Sequence, residues 1–201
     1  EVLATYNGCG ILVGLMKIGE HPDLYFSCDT TFMDKVQDLF INPTNVSKSN
    51  MVIITEKGNP KKITGLKDFA RPGLKIALCD PQKSALGKLT DDLLRRLGLR
   101  ERIHKDNLQK TTATADLLVQ DIVVGRLDAA VVYLANTVMQ VDKLEIILID
   151  DPSAVAVQPI AVGKHSEYRQ LSGRLMEAIM SAESKKMFDK FGFEWMVERN
   201  P

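Results

Sequence analysis

The sequence predicts an α/β protein built as two lobes around a cleft, and three observations carry that expectation. Apolar residues alternate between strand-like runs and helix-like spacing along almost the whole chain. Ser, Thr and Gly punctuate the junctions as helix starts and stops. Two long apolar strands, near residues 50–56 and 155–162, bracket a middle block with strands and helices of its own. A chain that leaves one lobe, builds a second and returns needs two such crossings. The expected lobes are therefore residues 1–53 with 156–201, and residues 54–155.

In chain order, Val2 to Tyr6 reads as a strand, and Gly10 to Ile18 as a helix with Ile11, Leu12, Leu15 and Met16 apolar. A strand over 23–28 follows. Next comes a helix capped by Thr30 that buries Phe32, Met33, Val36 and Phe40. The apolar strand at 50–58 leads into a loop with a short helix over 59–73. In LKIALCDPQKSALGKLTDDLLRRLGL (74–99), Leu74, Ile76 and Leu78 alternate as a buried strand would. Leu86, Leu89, Leu93, Leu94 and Leu97 then recur at helical steps, with Ser84 placed to cap the helix and Gly98 to stop it. A helix follows over 114–124, stopped by Gly125, then strands over 129–133, 144–150 and 155–163. The tail reads as two helices capped by Ser166 and Ser181, with Gly192 as the last stop. Such alternation predicts a sheet of parallel type.

The 201 residues are 45% hydrophobic and 26% charged, with 26 Lys+Arg against 26 Asp+Glu, the balance of an ordinary globular chain. Zero net charge, with no basic run interleaved with aromatics, gives no footprint for nucleic acid. No apolar stretch approaches the ~20 residues that span a bilayer. Cys9, Cys28 and Cys79 show no C-x-x-C spacing, and His21, His104 and His165 are scattered, so no metal site is indicated. The thin loop before residue 85 has a chemical use. A helix opening behind a strand presents unpaired N–H groups at its first turn, which suit an anion.

Four blocks carry a family resemblance. YNGCGILVGLMKIGEHPDLYFSCDTTFMDKV, IALCDPQKSALGKLTDDLLRRLGL, GRLDAAVVYLANT and VQPIAVGKHS…MEAIMSAESKKMFDKFGF follow one another in the order and at the separations found in molybdate-type periplasmic binding proteins. The chain resembles that family over nearly its whole length. The resemblance implies the two-lobed type II solute-binding fold and no cofactor. It further implies a tetrahedral oxyanion such as molybdate or tungstate as ligand, an ABC-transporter permease as partner, a periplasmic or other extracytoplasmic location, and a monomer. It also implies about thirty further residues before Glu1, holding a strand, a loop with a ligand-binding serine, and a helix.

Carried over position by position, Cys9 stands where the family has a ligand-binding serine, flanked by Gly8 and Gly10 at a helix start. Ser84, Ala85 and Leu86 open the second helix, with Leu86 where a small residue normally gives its N–H. Val132 stands where the family offers a backbone N–H, Tyr133 follows it, and Gln158 replaces a tyrosine whose hydroxyl touches the oxyanion. One helix start belongs to each expected lobe, so closure would bring both onto one ion. Cys9 and Cys28, at the carboxyl ends of neighbouring strands, are either a disulfide or two free thiols. Lys83 and Lys88 either add positive potential at the loop or are solvated, and Asp92 with Arg96 fits an i,i+4 surface pair. Two alternatives stay open: a ligand-sensing effector domain of a transcriptional regulator with the same fold, and an enzyme using Cys9 as nucleophile at a helix start.

Overall fold

The run MVIITE (51–56) is rich in β-branched residues, the composition of a strand buried on both faces. In the computed structural model, which describes residues 1–198, it is the second half of one long strand, β2 (Phe40–Glu56). Before it come α1 (Cys9–Lys17), β1 (Leu24–Phe26) and α2 (Thr30–Asp34). After it come β3 (Ile76–Cys79), α3 (Ala85–Arg96), α4 (Arg100–Asp106), β4 (Leu108–Thr112), α5 (Ala115–Val123) and β5 (Ala129–Tyr133). The chain closes with β6 (Leu144–Leu148), β7 (Val155–Gly163), α6 (Arg169–Ile179), α7 (Ala182–Lys190) and β8 (Glu194–Trp195).

β2 changes partners half-way. Phe40 to Asn50 runs antiparallel to β7, and β7 in turn pairs with β1. From Met51 onward β2 lies between β5 and β6, antiparallel to both, and Met51 N–H donates to the Ala154 carbonyl at 2.8 Å. The sheet order is β1-β7-β2-β5-β3-β4, with β6 and β8 also on β2. Two cores follow from this. Met51, Val52, Ile53 and Ile54 pack with Ile76, Leu94, Leu118 and Val132 beneath α3 and α5. Cys9, Val13, Met16, Phe32, Met33 and Phe40 form the second, and Ala85 of α3 joins it.

The mixed α/β class is as the sequence predicts, but the sheet is not of parallel type. Only β3 pairs in parallel, with β4 and β5, because β2 and β7 cross the molecule side by side in opposite directions. Val2 to Tyr6 is not a strand. It has no ladder partner among the described residues, and Leu3 and Tyr6 are each 91% exposed. Extended chain without a neighbour to pair with is not a strand, whatever its propensity. β2 also reaches ten residues further upstream than expected, starting at Phe40 rather than at 50. Its register shifts between Ile41 and Thr44, and the turn-like Asn42, at φ 46°, is absorbed there as an irregularity. The cap of α2 is Asp29, whose carboxylate accepts from Thr31 N–H at 2.9 Å, rather than Thr30. Tyr168, not Ser166, sits at the cap of α6, while Ser166 donates to Asp23 at 2.6 Å. Arg96 bridges to Asp151, leaving Asp92 to Lys88.

Candidate ligand-binding cleft

Helix α3 opens where sequence spacing puts it. Ser84, extended at φ −131° and ψ 137°, holds the cap position, yet its hydroxyl makes no capping bond. Its carbonyl accepts from Lys88 N–H at 3.0 Å, while no cap satisfies the amides of Ala85, Leu86 and Gly87. Helix α1 opens differently. Gly10 N–H donates across to the Lys83 carbonyl at 3.0 Å, and Ile11 and Leu12 N–H return to the Gly8 carbonyl. A Cβ on Gly10 would overlap the Gln82 carbonyl oxygen, and one on Gly8 the Lys83 carbonyl oxygen. Both glycines are needed because two stretches of backbone touch there.

These openings face one cavity of about 330 Å³. Of the predicted residues, Gly8, Cys9, Ser84, Ala85, Leu86, Tyr133 and Gln158 line it, and Gly10 and Val132 do not. Val132 is fully buried in the β5–β2 ladder opposite Val52, and the Gly10 amide is engaged by Lys83. Cys9 carries no thiol: its sulfur is bonded to Cys28, which also lines the cavity, so it has neither an S–H donor nor a nucleophilic thiolate to offer. Gln158 accepts from Ser47 Oγ at 2.8 Å and donates one amide hydrogen to the Ala156 carbonyl at 3.3 Å. One Nε2 hydrogen is left to face the cavity.

A third helix start was not singled out from the sequence. Thr114, Ala115 and Asp116 also line the cavity, and Thr114 occupies the α5 cap position with no side-chain bond. The hint was present in TTATAD (111–116), a small-residue run ahead of a helix, just as in the loop before α3. Three helix N-termini thus converge; the amides of Gly10, Ile11 and Leu12 in α1 are engaged by backbone carbonyls, whereas α3 and α5 carry no capping side chain and bring partial positive charge to the cavity. Side-chain donors surround them: the Asn7 amide, the Ser84 and Thr114 hydroxyls, and the Tyr133 hydroxyl, which is buried and without a partner. Burial holds Tyr133 well above the ordinary tyrosine range, so it is a neutral hydroxyl. The lining has one carboxylate, Asp116, and no lysine or arginine. Lys88 instead pairs with Asp92, and Lys83 lies 3.9 Å from Asp80. Dipoles, not formal cations, set the field in this cleft.

Among the described residues no group of three or more His, Cys, Asp or Glu side chains could hold a metal ion, and no helix is long and apolar enough to cross a membrane. The third cysteine, Cys79, is buried with its thiol against Thr112 at 3.8 Å, and burial pushes it up.

Known proteins of similar sequence and fold identify the family. The profile of the bacterial extracellular solute-binding protein family matches residues 1–194. The molybdate-binding protein ModA of Mycobacterium tuberculosis is 28% identical over 193 residues, covering 94% of this chain and 72% of that one. A putative ABC-transporter substrate-binding lipoprotein of Bacillus subtilis, YvgL, is 26% identical over 197 residues, covering 94% of this chain and 74% of its own. The periplasmic molybdate-binding protein of Azotobacter vinelandii superposes with a TM-score of 0.79 at 16% identity, covering 97% of this chain and 87% of that chain, which identifies the type II fold. With a family profile spanning nearly its whole length, the chain belongs to the bacterial extracellular solute-binding protein family.

Proposed function

We propose that the cleft captures a tetrahedral oxyanion of the molybdate or tungstate kind outside the cytoplasm and hands it to an ABC-transporter permease, the protein acting as a monomer with no chemistry of its own. One observation carries this reading: the starts of α3 and α5, both lacking capping side chains, face one cavity whose lining contains no basic side chain. A dianion is held well by N–H and O–H dipoles already in place, since little has to reorganise when it arrives. The name of the mycobacterial relative supports the same ligand class, and that of the Bacillus relative supports the transporter role. In this reading Gly8, Cys9, Ser84, Ala85, Leu86, Tyr133 and Gln158 form the contact set, joined by Thr114 and Ala115. Residues 1–53 with 156–201 and residues 54–155 are the two lobes, a division supported by the change of pairing partners at Asn50 and Met51.

No observation favours the effector-domain alternative, and the disulfide removes the nucleophile from the enzymatic one. Titration calorimetry with molybdate, tungstate, sulfate, phosphate and chromate tests the proposal. At least one of these binds at micromolar concentration or tighter if it is right. Failure of all five at millimolar concentration contradicts it.

A further inference from the structure

The cleft has a second chemical character beside its donors. Phe26 of β1, Phe188 of α7 and Phe193 after α7 line the same cavity. They stand ring to ring, with centroids 6.1 Å apart from Phe26 to Phe188 and 5.6 Å from Phe188 to Phe193. Trp195 backs Phe188 at 5.2 Å. All belong to the part of the sheet made by β1, β7 and the first half of β2, together with the helix packed on it.

A bare oxyanion at the helix starts leaves such a wall without a partner. Phenyl rings offer an anion no N–H or O–H donor and suit an apolar or aromatic body. Size points the same way. Water occupies about 30 Å³, so an ion with the bulk of two or three waters fills about 60–90 Å³, well under half of the roughly 330 Å³ present. Cavities of this volume with aromatic walls and a few converging polar groups are those of organic ligands. Resting on the oxyanion reading above, we infer that the cleft takes an oxyanion bearing an organic body: a phosphonate or phosphate monoester. Its head lies at the starts of α3 and α5, and its substituent lies against Phe26, Phe188 and Phe193.

Calorimetry with three anions tests this: phosphate, molybdate and phenylphosphonate. Phenylphosphonate is expected to bind at least tenfold more tightly than either bare ion. Phe188→Ala is expected to remove at least fivefold of that advantage while phosphate affinity stays within twofold. Phe26→Leu, which keeps an apolar side chain at the strand, gives the same selective loss should the alanine variant unfold. A bare ion that binds as tightly as phenylphosphonate, or a variant that weakens all three alike, overturns the inference and leaves the oxyanion reading standing. If none of the three binds, the inference falls, and the five-anion panel above decides the oxyanion reading separately.

Discussion

The starts of α1 and α3 look alike in sequence, each a run of small residues opening a helix, yet the structure uses them in opposite ways. At α1, glycine at positions 8 and 10 lets backbone meet backbone, and the Gly10 amide is tied to Lys83. The disulfide to Cys28 then fixes that end to the strand beside it. At α3, Ser84 caps nothing and the first amides are left open toward the cavity. One junction joins the two halves of the molecule, and the other leaves donors for a guest. Small residues at a helix start thus have two separate causes, close approach and open donors, and only contacts tell them apart.

Perturbing each junction should therefore move different quantities. Removing the disulfide with Cys9→Ser/Cys28→Ser should have the largest effect. It frees a loop with sequence separation 19 and costs about 3 kcal/mol in the chain-entropy account, read by denaturant melts. Gly10→Ala should follow at about 2 kcal/mol, a fall in Tm of about 4–8 °C, because the loop at 82–83 must shift. Ser84→Ala is the converse case. With no capping bond to lose, its Tm should hold within about 1 °C, while oxyanion affinity falls about tenfold, the scale of one hydrogen bond to a charged group. Ser181→Ala, whose hydroxyl does accept from Ser184 N–H at 3.2 Å, should cost about 1 kcal/mol of stability and nothing in affinity.

Acid titration gives the smallest effect. Burial alone would raise the Asp91 carboxyl, but hydrogen bonds from Arg95 at 2.6 Å and Arg100 at 2.5 Å outweigh it and hold it below the ordinary range. The Arg96 guanidinium, with Ser153, holds Asp151 down to about 2. Both folded-state values are depressed, so their stabilisation is complete above about pH 4. It is lost as pH falls through the folded values. Asp91→Asn should flatten the stability curve over that acid interval and leave neutral-pH binding unchanged.

The α/β class, the stop glycines at 98 and 125 and the strands at 129–133 and 155–163 were legible because each is written in local periodicity and turn chemistry. The pairing directions were not, since antiparallel crossing of β2 and β7 joins residues more than a hundred apart. At the cleft, seven of nine predicted residues line the cavity. Val132, expected to offer its backbone N–H, does not, because its backbone lies within the β5 ladder opposite Val52. Gly10 does not, because its amide finds a carbonyl that sequence spacing cannot place. The α5 start was overlooked because Thr114 resembles any surface cap until its unused hydroxyl is seen.

The most direct test is an amide nuclear magnetic resonance titration of the intact chain with molybdate. Ala85, Leu86, Ala115 and Asp116 N–H signals should shift together and saturate at the stoichiometry of one site, with the Gly10 signal held by Lys83 moving far less. Saturation with no shift at those four amides, or shifts gathered on another face, would contradict the claim that helix starts hold the anion.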